Sequence, residues 1–221
     1  MADYRKIGKG ITGALTKASE AASKSVLPAA EKDANLAKML EVSKVKERLY
    51  HGTTAREKSG EALRTLSSED APYRGGVKTF VSTSPKFASK YAEGEGGNVL
   101  PVFAQIKNPF DFRDKFSGSE ARYFWQDNGG IDSFDADKIK DGLGLKPSSE
   151  LTEQQFVRAV EKGHWPALEA PEFANWLRGQ GYDAIVTKEG GSINYGVYDP
   201  NKIKSAISNR GTYDITDSDI S

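Results

Sequence analysis

The 221-residue chain has no cysteine and only two histidines, His51 and His164. Without thiols there is no disulfide, no thiolate nucleophile and no zinc–thiolate centre. Two imidazoles are too few for a histidine-built metal cluster, so no metal is expected. An excess of one charge is also missing, since 31 Lys and Arg balance 31 Asp and Glu. A dedicated nucleic-acid binder carries a basic excess, so nucleic acid is not an expected partner. No apolar run approaches the roughly 20 residues that a membrane-spanning helix needs. The opening MADYRKIGKG lacks the apolar centre of a secretory signal. The expectation is a soluble protein, intracellular at synthesis, with no membrane partner.

Aromatic residues are missing from 11–45, a stretch rich in Ala, Lys and Ser. Ile11, Leu15 and Ala18 fall at helical spacing, as do Leu36, Met39, Leu40 and Val42, and Leu27-Pro28 separates the two runs. Residues 1–45 therefore read as a mildly basic helical or flexible arm outside the main domain. The arm is either a tail or a docking segment for a partner.

From residue 46 the texture changes. RLYHGT reads as a strand ending at Gly52, 54–69 as a charged helix or loop, and VKTFVSTS (77–84) as a second strand. Ser84-Pro85 opens a helix over PKFASKYAEG, with Ser84 as N-cap, Pro85 in the first turn and Gly94 as terminator. NVLPVFAQIKN (98–108) is a third strand, Asn108-Pro109 a turn, and 110–150 irregular. Helices follow over 151–163 and 171–181, then a hairpin over 182–199 around Gly190-Gly191. PNKIKSAI is a turn or short strand, and 215–221 an acidic tail in which Asp217 and Asp219 are solvated. Short mixed strands with scattered helices make an α+β domain over 46–214.

Three places carry chemistry. His51-Gly52-Thr53 ends a strand; the glycine opens the backbone to a ligand, and the histidine offers a nitrogen to a hydroxyl. Packing alone also accounts for such a histidine. Phe80 and Tyr91, eleven positions apart across a strand–turn–helix unit, form either two walls around a flat heterocycle or part of the core. Ser82 shares the strand face of Phe80. Asn194 is a polar residue on an apolar strand and needs a partner, either structural or a ligand.

Together LYHGT, FVSTSPKFASKYA, IKNPFDF, GYDAIV and YDPNKIKSAISNRGTYD resemble the ADP-ribosyltransferase fold of the histidine–tyrosine–glutamate type. The similarity is closest to the domains found in phage-encoded and polyvalent proteins, and it covers roughly 46–214. It implies a split β-sheet core and NAD+ as substrate. It implies that His51 binds a ribose hydroxyl, that the Gly52 backbone holds the carboxamide, that Tyr91 stacks on the nicotinamide, and that Thr53, Phe80 and Ser82 complete the NAD+ site. Phe80 stands where the family usually has its first tyrosine. The Ser-Thr-Ser at 82–84 resembles the arginine-specific branch of the fold. The family's glutamate position is taken by Asn194, which keeps a hydrogen bond and loses the charge. Glu189, across the Gly-Gly turn, is the alternative carboxylate. The resemblance implies transfer of one ADP-ribose to a protein of a bacterial host, in the host cytoplasm after delivery with a phage particle. A degenerate interaction protein and an NAD+ glycohydrolase are the competing readings.

Overall fold

The computed structural model describes residues 27–53, 79–94, 97–113, 117–146 and 150–220. The charged segment expected over 54–69 and the first half of the arm lie outside the described residues. Seven strands form one sheet: β1 (Leu49–Thr53), β2 (Thr79–Ser82), β3 (Asn98–Ala104), β4 (Pro109–Asp111), β5 (Ala184–Glu189), β6 (Ser192–Val197) and β7 (Ile203–Ser205). Their order is β4-β5-β6-β2-β1-β3-β7. Among the described strands only β4 and β5 run parallel. Among the described residues seven α-helices accompany the sheet: α1 (Ala29–Glu41), α2 (Pro85–Ala88), α3 (Ser117–Asn128), α4 (Ser133–Gly142), α5 (Glu153–Glu161), α6 (Trp165–Leu168) and α7 (Pro171–Gly179). The α+β fold expected from the sequence is the one observed.

Period-two alternation divides the sheet between two cores. On one face Ile185, Phe110 and Tyr198 meet Phe124, Phe156, Phe173 and Leu177 from the helices, with Phe80 packed at the margin. On the other, Val81, Val186 and Val197 meet Leu49, Val102, Ile203 and Ile220. Local signals place the elements. Thr152 and Gln155 form a capping box ahead of α5. The hairpin turn uses Gly190 and Gly191, both at positive φ (56° and 82°), as a tight two-residue turn between twisted strands requires.

The sheet is split at its centre. β1 pairs with β3 at five positions and β2 with β6 at four, yet β1 and β2 share only Tyr50↔Ser82. Beyond that rung the two strands part.

Four expectations change. The described part of the 110–150 stretch is regular: β4, α3 and α4 occupy it, and Phe112, Phe124 and Trp125 belong to the helical core. Asn108-Pro109 leads directly into β4, because the Asp183 carboxylate accepts the N–H groups of Lys107 (2.7 Å) and Asn108 (2.9 Å) and pins that chain beside β5. The second half of the arm is docked. Met39 and Leu40 are buried, and the Ser43 hydroxyl accepts the Ile106 N–H at 2.9 Å. The C-terminal residues are not all solvated. Ile220 is 2 % exposed, and Lys204, 1 % exposed, donates its ammonium protons to the carbonyls of Asp217 and Asp219.

Candidate functional site

The split is where the sequence-derived residues gather. Past Tyr50, the edge of β1 has no register partner on β2, and the His51 side chain occupies that interval. Its Nδ1 lies 2.8 Å from the Phe80 carbonyl oxygen. A carbonyl only accepts, so Nδ1 carries the proton. Burial pushes the imidazole's pKa below its ordinary value, against the opposing effect of that hydrogen bond. His51 is thus neutral near pH 7, and its Nε2 is left as a hydrogen-bond acceptor.

Gly52 sits beneath α2. A Cβ there would fall 1.9 Å from the Ala88 carbonyl and 3.1 Å from the Tyr91 Cβ. The close approach that this glycine permits is therefore made by the protein's own helix, which draws Tyr91 over the strand end. Thr53 completes β1, opposite Asn98. Ser84 caps α2 by accepting the Phe87 N–H, and Ser82 accepts the Ser84 N–H at 3.1 Å. Ser82 is buried and shapes this turn.

Tyr91 follows α2 on a single 3-10 turn and is 55 % exposed, with its ring 5.7 Å from that of Phe87. Phe80 instead packs edge-on against Trp165 at 5.4 Å. The two aromatics expected to form opposite walls thus rest on different neighbours, and Tyr91 is the one open to a ligand. Burial raises the Tyr91 phenol's pKa, and the charges of Glu189 and Glu169 raise it further.

Asn194 lies in a polar row across the sheet. Its register partners are Ser82 on β2 and Thr187 on β5. It is 3 % exposed, and neither its amide nitrogen nor its amide oxygen has a hydrogen-bond partner. The Thr187 hydroxyl is also buried and unpartnered. Such groups cost about 1–3 kcal/mol each when left unmet. Two adjacent orphaned polar groups therefore lie next to the break in the sheet.

Glu189 is held one pleat further along β5, opposite Ser192. Its turn is anchored: Thr83 donates its N–H to the Ile193 carbonyl at 3.0 Å, the Ile193 N–H donates to the Thr83 hydroxyl, and a Cβ on Gly190 would touch the Phe87 ring at 3.4 Å. Glu189 also borders a cavity of about 370 Å³ with Thr187, Trp165, Leu168, Phe112 and Arg113 among its walls. His164 precedes α6, its ring against Gly142. Glu169, just after α6, is a half-buried carboxyl whose pKa burial raises and the Lys138 charge lowers. Nothing in the sequence marks Glu169. Thr187, by contrast, carries the same signal as Asn194, a polar residue in an apolar strand.

A family profile described as ADP-ribosyltransferase in polyvalent proteins matches residues 46–213. No curated protein and no solved structure matches the chain. The matched span contains all seven strands and every residue of the split, the polar row and the anchored hairpin. The chain belongs to the ADP-ribosyltransferase family of polyvalent proteins.

Proposed function

We propose that the chain transfers a single ADP-ribose from NAD+ to a protein target. Support comes from family membership and above all from one observation: the unpartnered Asn194 amide in a buried row beside the split that holds His51. His51 Nε2 accepts a hydrogen bond from a ribose hydroxyl, and Tyr91 lies against the nicotinamide ring. As the bond between the ribose C1′ and nicotinamide lengthens, positive charge grows on the sugar. Asn194 orients the sugar by hydrogen bonding. The nearby carboxylate of Glu189 supplies the negative charge that an amide lacks. Electrostatic stabilisation of this type is worth about 3 kcal/mol, or roughly a hundredfold in rate. The likeness to phage-encoded domains points to a bacterial host protein as target, reached in the host cytoplasm after delivery with the particle.

The test is nicotinamide release from NAD+ in a bacterial lysate, with labelled ADP-ribose followed onto protein. Wild type is expected to release nicotinamide and label protein, and Glu189→Gln to lose about two orders of magnitude. Asn194→Glu is expected to be faster than wild type. Release without labelling would convert the reading to an NAD+ glycohydrolase. A silent wild type would favour the second reading, an NAD+-binding interaction protein, for which the missing charge at Asn194 is the supporting observation.

A further inference from the structure

We propose that Phe87 is a positioning residue for the transfer: its ring ties the turn that carries Glu189 to the segment that carries Tyr91. This rests on the transfer reading above.

Phe87 is 7 % exposed, yet neither of the two described cores includes it. Its neighbours are instead parts of the candidate site. Its Cδ2 and Cε2 atoms lie 3.4 Å from where a Gly190 Cβ would stand, so the ring rests against the backbone of the β5–β6 turn. The Tyr91 ring meets it at 5.7 Å with an angle of 54° between the planes. The Lys90 ammonium stands 5.2 Å from the ring centre, a cation on an aromatic face.

The backbone explains why such a contact matters. With four residues, α2 is too short to hold its place by helical hydrogen bonding alone. Ser84 caps it, and the approach of Ala88 to Gly52 seats it on β1. Phe87 adds the contact that reaches the tip of the hairpin. The Thr83–Ile193 hydrogen bonds fasten the hairpin below that tip. Glu189 occupies the last rung before the turn, and Gly190 follows it directly, so a displaced Gly190 displaces Glu189. Tyr91 has only a single 3-10 turn behind it, and the ring packed against it sets its place. Close-packed rings and backbone transmit displacement rather than absorb it. Phe87 thereby fixes the distance from the stacking face to the carboxylate, and transfer requires both at once around one sugar. Being buried, it acts through these two residues.

The experiment uses the full chain with Phe87→Leu and Phe87→Met, two apolar changes near in volume that remove the ring. Nicotinamide release from NAD+ is expected to show kcat about tenfold lower, from a misplaced carboxylate, and KM about fivefold higher, from a misplaced stacking face. In a Glu189→Gln background the ring's loss should lower kcat no further. In a Tyr91→Ala background it should raise KM no further. Loss of packing alone would act equally in every background. Without NAD+, backbone order parameters at Gly190 and Tyr91 should fall together, from about 0.85 toward about 0.6, while those at Val186 and Tyr195 hold. Additive effects in both backgrounds, or a fall at only one of the two places, overturns the positioning role and leaves the transfer reading standing. A wild type that releases no nicotinamide refutes the transfer reading, and the role in transfer with it, even where the order parameters fall together.

Discussion

At the residue scale, stability and function pull against each other along the polar row. Asn194 and Thr187 are buried without partners, so each lowers the stability of the free protein. Thr187→Val and Asn194→Leu should therefore raise stability in urea unfolding, by about 1 kcal/mol or more, while NAD+ affinity falls in the second. Destabilisation by either change would mean that the row has partners of its own. His51 sets a pH dependence of definite sign. Its folded pKa lies below the ordinary value of 6.5 because burial disfavours the imidazolium. Its neutral form is thus favoured in the folded state, and the unfolded chain takes up the proton first. Stability is full above 6.5 and declines as pH falls toward the folded value, with a slope of at most about 1.4 kcal/mol per unit. Urea midpoints between pH 8 and 5 should show this decline, and His51→Gln should flatten it.

At the element scale, Gly52 and α2 act as one unit. Any Cβ at position 52 collides with the Ala88 carbonyl, a backbone atom that cannot swing aside. Gly52→Ala should lift α2, carry Tyr91 away from the strand, and cost about 1–3 kcal/mol through overpacking. Weaker NAD+ binding with an intact His51–Phe80 hydrogen bond, seen in imidazole proton shifts, would confirm the route. Much of this unit was legible in the sequence. Ser84, Pro85 and the strand-end glycine are local signals, and they marked the turn, the helix and the close approach. The partner in that approach was not legible, because Ala88 meets Gly52 only through tertiary packing. The same limit hid β4 and α3. The register of β4 depends on Asp183, more than seventy residues away along the chain from the two N–H groups it receives. A glycine-spotted, polar run gave no periodic sign of either element. The Asn194 position was readable from its apolar surroundings, and its emptiness was not, since unmet hydrogen bonding belongs to the folded state alone.

At the scale of the whole molecule, the C-terminal segment closes a core that it shares with β1. Leu49, two residues before His51, shares that core with Ile220 from the C-terminal segment. The Ser205 N–H donates to the Ile220 carbonyl at 2.8 Å, so the segment also covers the outer edge of β7. On the other side Asn35 of α1 donates to the Gly211 carbonyl at 2.9 Å. A polar, acidic composition gave no hint that one isoleucine near the end would be an anchor. Ile220→Ala should lower stability by about 2–5 kcal/mol, and the loss should appear in denaturant midpoints of the full chain. A shift under 0.5 kcal/mol would mean that the segment contributes no packing of consequence.

The lone rung between Tyr50 and Ser82 gives the molecule a seam. On one side lie β2, β6, β5 and β4 with the helical core; on the other lie β1, β3 and β7 with α1 and the C-terminal segment. Few backbone bonds must be broken to change the angle between them, whereas bending either half would disrupt a full ladder. Pulled apart, the sheet would open like a book along its spine, with His51 on one page and Asn194 on the other. Apolar packing of Val81, Val186 and Val197 against Leu49, Val102 and Ile203 crosses this spine, so the binding of the volume is done by side chains where the backbone leaves it open.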